Sequence, residues 1–188
     1  AQLAGPPRMP PRILAVCFDF GDTLVDENSE VKDATLTSLR GELIPGTAEL
    51  LRSLRSRAYR LALVADGRPG TYTNVLQQHG LYEMFEAFAI SELLGTLKPD
   101  RRMFTHALQA LAIEPPDYPR TVMVGNRLER DVKGANELGM ISVWMDWSPR
   151  YAKSPSDASE RPQFTIHRPL DLLGVLEELE GPASAGTA

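Results

Sequence analysis

Apolar strand-like runs alternate along this chain with segments of helical period, and that alternation restricts the fold more than any other feature. The strand-like runs cover residues 13–18, 60–65, 87–90, 121–124, 141–144 and 164–166. Helix-like segments cover 30–40, 46–57, 71–79, 101–111, 129–138 and 170–179. In the second of these, Leu50, Leu51 and Leu54 recur at helical spacing with Arg52, Arg55 and Arg57 between them. Short continuous apolar strands suit burial on both faces, and strands joined through helices pair in parallel by right-handed crossovers. The expected class is α/β: a Rossmann-like, doubly wound parallel sheet with helices on both faces.

At 188 residues the chain is long enough for one domain with a sizeable core, and we place that domain at 12–180. Residues 1–11, rich in proline, read as a disordered arm, and 181–188 as a disordered tail. Two stretches interrupt the rhythm. Residues 26–44 form a small cap-like insertion with room for about one helix and its loops. Residues 145–161 make a long polar loop of the kind that often carries function.

Charge narrows the partners. Twenty Lys and Arg against 25 Asp and Glu give a net charge of -5, which argues against a dedicated nucleic-acid binder. The lone Cys17 cannot form an internal disulfide and reads as a small core residue. No apolar stretch has the length of a membrane span and no leader is recognisable, so a cytoplasmic protein without membrane contact is expected. A homo-oligomer is compatible with all of this.

The first strand-like run ends in Asp19, followed by Phe20, Gly21, Asp22 and Thr23. Open α/β sheets bind ligands at the carboxyl ends of their strands, so Asp19 is a candidate nucleophile or metal ligand. An aspartate near a glycine is also an ordinary turn former. Three further clusters fall where strands end or helices begin: Val64-Ala65-Asp66-Gly67, Gly95 to Asp100 with Lys98, and Met123 to Asn136 with Asn126 and Asp131. A carboxylate nucleophile, a lysine to neutralise oxygens, carboxylates for a metal and backbone N–H groups at Asp66 and Gly67 together suit phosphoryl transfer.

The strings Phe18-Asp19-Phe20-Gly21-Asp22-Thr23-Leu24, Lys98-Pro99-Asp100 and Val124-Gly125-Asn126 with Asp131-Val132 and Gly134-Ala135 resemble the haloacid dehalogenase-like hydrolase superfamily, in a form with a minimal cap and altered motifs. The resemblance runs from about Ile13 to Leu179. It implies a Mg2+-dependent phosphatase working through an aspartyl-phosphate at Asp19 on a phosphorylated small molecule or phosphoprotein. Lys98 would steady the nucleophile and phosphoryl group, Thr23 would shape the loop, and Asp19, the Gly21 carbonyl, Asn126 and Asp131 would hold the metal. Ala65, Asp66 and Gly67 would line the phosphate together with Lys98.

Three positions depart from the family pattern. Gly21 stands where the phosphatases carry a leaving-group acid, Ala65 replaces a phosphate-binding Ser or Thr, and Asn126 replaces an acidic metal ligand. Weaker metal binding and low or specialised activity are expected. Asp22, one place later, is either a substitute acid or a turn carboxylate, with Glu27 and Asp66 as further candidates. The alternatives are a catalytically impaired phosphate-binding or regulatory protein, and behind it a dehalogenase, or a phosphonate hydrolase using Lys32. His106, Trp144 and Trp147 read as packing or surface residues.

Overall fold

The structure, a computed structural model, describes residues 11–181. The arm and tail expected from the sequence lie outside the described residues, apart from Pro11 and Gly181. The sheet is built from β1 (Ala15–Phe18), β4 (Arg60–Ala65), β5 (Phe85–Ile90), β6 (Thr121–Gly125), β7 (Ile141–Met145) and β8 (Phe164–Ile166). Their spatial order is β5-β4-β1-β6-β7-β8, and every pairing is parallel. The chain winds outward from β1 to one edge, then crosses back to lay β6 on its other side. The sheet thus reverses direction at β1 and β6, where a crevice opens at the carboxyl ends of the strands.

Period two along each strand sorts side chains between two cores. Val16 and Phe18 of β1 face one core with Leu61 and Leu63, covered by Leu50 and Leu54 of α1 (Thr47–Ser56), Val75 and Leu76 of α2 (Pro69–Gln78), and Leu172 and Leu176 of α6 (Asp171–Glu180). Ala15 and Cys17 face the other with Ala62, Val64, Ala87 and Ala89. Small strand residues there leave room for Met103, Phe104 and Leu108 of α4 (Arg101–Ala110). Gly134 of α5 (Lys133–Leu138) lies so close to the Phe104 ring that any Cβ would overlap it. Cys17 is buried, as expected, and burial pushes its thiol up to about 12. Among the described residues no helix is long and apolar enough to cross a membrane.

The insertion corrects the sequence reading. In place of a helix over 30–40 there is an antiparallel hairpin of β2 (Val25–Lys32) and β3 (Ser38–Leu43), separate from the main sheet. Val31, Leu36 and Leu39 all face solvent, so no apolar face is buried of the kind a helix here would need. The turn decides: Asp33 Oδ1 accepts from the backbone N–H groups of Thr35 and Thr37 and from the Thr35 hydroxyl, a local network that competes with helix. The hairpin docks on α2 through side chains. Thr71 Oγ1 accepts from the Ser38 N–H at 2.9 Å, Gln78 accepts from the Gly41 N–H at 2.9 Å, and the Asn74 amide donates to the Ser38 carbonyl at 3.0 Å.

Candidate active site

Asp19 follows β1 directly, and its N–H still donates to the Val124 carbonyl at 2.9 Å, which fixes the residue between β1 and β6. The turn beyond it is tight: the Phe20 carbonyl accepts from the N–H groups of Thr23, Leu24 and Val25. Facing Asp19 is Lys98, from the loop before α4. Its ammonium spends all three donors, on Asp19 Oδ1 at 2.9 Å, Asp131 Oδ1 at 2.6 Å and the Val64 carbonyl at 2.8 Å. Burial alone would lower its pKa, but Asp131 and Asp19, with Asp66 behind them, hold it above the usual lysine value.

Asp131 sits in a wide helical turn, Leu128–Val132, that leads into α5. Its carboxylate occupies the space a Cβ on Gly125 would fill, so only glycine fits at the end of β6. Oδ2 accepts from the Arg127 N–H at 3.0 Å. One lysine neutralises one carboxylate charge, not two. Burial first, and then the Asp19 charge, push the Asp131 carboxyl up to about 7.

These groups line a cavity of about 90 Å³ with Gly21, Glu27, Asp66, Asn126, Arg127, Arg130 and Tyr151. The structure therefore brings together Asp19, Gly21, Asp66, Lys98, Asn126 and Asp131, drawn from four separate stretches of chain. Asn126 is buried and anchored through its carbonyl, which accepts from the Trp144 indole at 3.1 Å. Asp66 braces the site: Oδ1 accepts from the Lys98 N–H at 3.0 Å, and Oδ2 pairs with Arg130 at 3.1 Å.

Three expectations are corrected. Asp22 does not line this cavity. Its side chain is fully buried, accepts from the Glu27 N–H at 3.0 Å and is paired with Arg150, so it cannot swing inward as an acid without breaking that ion pair and giving up the bond from Glu27. The Gly67 N–H is committed to Ser91 Oγ at 2.8 Å and does not reach the cavity. Ala65 is buried in the sheet, and its methyl side chain offers a phosphate no polar group. Lys32 lies on the hairpin and lines a neighbouring cavity instead, His106 is exposed on α4, and Trp147 packs on the core.

Glu27, a further candidate acid from the sequence, lies on the cavity wall beside Gly21. A Cβ built on Gly21 would meet the Glu27 carboxyl carbon at 3.4 Å, an ordinary contact distance, so the Glu27 carboxyl lies directly beside Gly21. Tyr151, from the long polar loop, donates to Glu27 Oε2 at 3.1 Å and carries the Arg127 guanidinium 4.3 Å above its ring. Tyr151, Arg127 and Arg130 were not singled out in the sequence. The only signal was the unusual length of the 145–161 loop and the basic residues beside Asn126.

A metal would find oxygen donors alone here: the Asp19 and Asp131 carboxylates, the Gly21 carbonyl and the Asn126 amide. Such a set fits a hard cation. It is sparse, since among the described residues no group of three or more acidic, His or Cys side chains is placed to hold one.

A family model, haloacid dehalogenase-like hydrolase, matches residues 35–139. The chain belongs to the haloacid dehalogenase-like hydrolases. It is similar to a glyceraldehyde 3-phosphate phosphatase of Methanopyrus kandleri, 32% identical over 135 residues, covering 72% of this chain and 57% of that protein. A pyrimidine 5'-nucleotidase of Streptococcus pneumoniae is 30% identical over 74% of this chain and 56% of its own length. A phosphoserine phosphatase of Thermus thermophilus is 33% identical over 68% of this chain and 48% of its own length. The chain thus spans about half the length of the curated relatives it matches. Among solved haloacid dehalogenase-like structures, a phosphatase of Thermococcus onnurineus superposes with a TM-score of 0.70 at 18% identity, covering 87% of this chain and 97% of the other. YfnB of Bacillus subtilis, solved bound to magnesium, gives 0.70 at 18%, covering 88% and 99%. These two share the fold.

Proposed function

We propose that this protein hydrolyses phosphate monoesters through a covalent aspartyl-phosphate at Asp19, with Mg2+ as cofactor. The observation that carries the reading is the juxtaposition of Asp19, Lys98 and Asp131 in one cavity at the reversal point of the sheet. The names of the curated relatives agree on phosphorylated small molecules as the substrate class.

Asp19 is held for attack. Lys98 fixes Oδ1, and Oδ2 is turned toward Thr23, whose hydroxyl lies 3.4 Å away. The Lys98 ammonium stays charged and can shift from a carboxylate oxygen to an equatorial phosphoryl oxygen as charge develops there. Asp19, Asp131, Asn126 and the Gly21 carbonyl would hold Mg2+, which when bound supplies charge neutralisation between the phosphoryl group and the attacking carboxylate. Glu27 is the cavity carboxyl left without a basic partner in hydrogen-bond range, Arg150 being 3.9 Å away. It donates a proton to the leaving oxygen and takes one back from the water that opens the aspartyl-phosphate.

A panel of phosphate esters, assayed with and without Mg2+ beside Asp19→Asn, tests the reading. Metal-dependent turnover lost in Asp19→Asn is expected. Turnover that survives the substitution removes Asp19 as nucleophile.

A further inference from the structure

The polar loop after β7 closes on the hairpin at two adjacent residues of β2. Arg150 donates to the Asn28 side-chain carbonyl as well as to the buried Asp22 carboxylate, and Tyr151 donates to Glu27 Oε2 at 3.1 Å. Tyr151 and Glu27 both line the cavity around Asp19.

The tyrosine is gripped on its ring as well as at its hydroxyl. The Arg127 guanidinium lies 4.3 Å above the ring and is itself fixed by Glu129, whose Oε1 accepts from Arg127 Nε at 2.6 Å. A guanidinium is attracted to an aromatic face, so ring and hydroxyl have separate anchors. The Arg127 N–H meanwhile donates to Asp131 Oδ2 at 3.0 Å. One residue thus ties the Glu27 side of the cavity to the side that holds Lys98 and Asp131.

The two oxygens of Glu27 are unequal in consequence. Oε2 carries the Tyr151 bond, and Arg150 stands 3.9 Å from the same oxygen. Oε1 accepts no hydrogen bond among the described residues, and it is the oxygen nearer Gly21, 3.7 Å from the point where a Cβ would stand. A protonated carboxyl group carries its proton on one oxygen, and the other remains a carbonyl acceptor. Tyr151 can donate to Oε2 in both states of Glu27, since burial, and then the Glu27 charge, push its phenol above the ordinary tyrosine value.

We propose that Tyr151 is the positioning residue of the general acid: by holding Oε2 it leaves Oε1, on the Gly21 side, as the oxygen that gives and takes the proton. The assignment rests on the phosphatase reading with Glu27 as its acid. In the first step an Asp19 oxygen bonds to phosphorus, the ester P–O bond breaks, and the Oε1 proton passes to the departing oxygen, which leaves as the alcohol. In the second a water oxygen bonds to phosphorus, one of its protons returns to Oε1, and the bond to Asp19 breaks, releasing phosphate. Tyr151 keeps its own proton throughout.

The test measures kcat and KM for methyl phosphate and nitrophenyl phosphate in the wild type, Tyr151→Phe, Glu27→Gln and the double variant, beside Asp19→Asn. Phenylalanine keeps the ring under Arg127 and removes only the hydroxyl. In Tyr151→Phe the methyl-to-nitrophenyl ratio of kcat should fall about tenfold, part of the roughly 10²- to 10⁴-fold that a placed acid supplies, with KM unchanged. The double variant should show the ratio of Glu27→Gln alone, because residues that act as one unit do not contribute additively. A ratio unmoved by Tyr151→Phe, or two losses that multiply in the double variant, overturns the assignment and leaves the hydrolase reading standing. A ratio unmoved by Glu27→Gln removes the acid and the assignment together. Turnover that survives in Asp19→Asn, or none in any of the proteins, overturns the hydrolase reading itself and the assignment with it.

Discussion

Arg150 closes a bidentate ion pair on the buried carboxylate of Asp22, with Nη2 2.8 Å and Nε 3.0 Å from the same oxygen. The pair ties the loop after β7 to the turn after β1 and so sets Tyr151, the next residue, against Glu27. Arg150→Ala leaves a buried carboxylate supported by a single N–H. The expected cost is about 3 kcal/mol, the lower end for breaking a buried pair because the arginine is partly exposed. Urea denaturation measures it. Asp22→Asn, which keeps a side chain tolerant of the positive φ of 53° at this position, should cost less.

Glu27→Gln removes the proton donor and keeps the shape. Rates with alkyl phosphates should fall about 10²-fold or more relative to rates with nitrophenyl phosphates, whose leaving groups need little protonation. Steady-state kinetics across esters of graded leaving-group pKa would show a steeper dependence in the variant. An unchanged dependence would return the acid role to some other group.

Asp131 predicts an unusual pH response. Its folded pKa, about 7, lies above the ordinary 3.8, so between these values the folded state binds more protons than the unfolded state. Stability of the metal-free protein should therefore fall as pH rises from about 4 to 7. The exposed carboxylates held low, Asp33, Asp100 and Asp157, oppose this slope only at its acid end, where their unfolded counterparts begin to take up protons, whereas burial holds Glu30 above its usual value and adds to it. Denaturation midpoints at pH 4.5 and 7 give the slope, and Asp131→Asn should flatten it.

Gly125→Ala and Gly134→Ala separate site from scaffold. The first puts a methyl group where the Asp131 carboxylate lies, so activity should be lost. The second presses on the Phe104 ring in the core and should cost about 1–3 kcal/mol by overpacking. Paired activity and thermal-unfolding measurements distinguish them.

Much of this was legible in the sequence because it depends on short-range pattern. The apolar runs ending in Asp19 and Gly125 are strands buried on both faces, and such runs read plainly. The residues at their carboxyl ends converge because a parallel sheet places all those ends on one edge. The hairpin was not legible: residues 30–40 read as a helix, while the deciding network sits on one turn carboxylate, Asp33. Nor was the role of Asp22, whose partner Arg150 is 128 residues away. Glu27 reaches the cavity only because the hairpin turns the chain back beside Gly21, and Tyr151 only because Arg150 pins its loop.

The covalent step at Asp19 is the centre of the account. The protein is mixed with a ³²P-labelled aryl phosphate and Mg2+, quenched in acid within one turnover, and the protein-bound label is counted before and after hydroxylamine. We predict label on the peptide that contains Asp19, released by hydroxylamine as an acyl phosphate should be, and none on Asp19→Asn. Turnover without protein-bound label at any quench time, or equal label on Asp19→Asn, would contradict it.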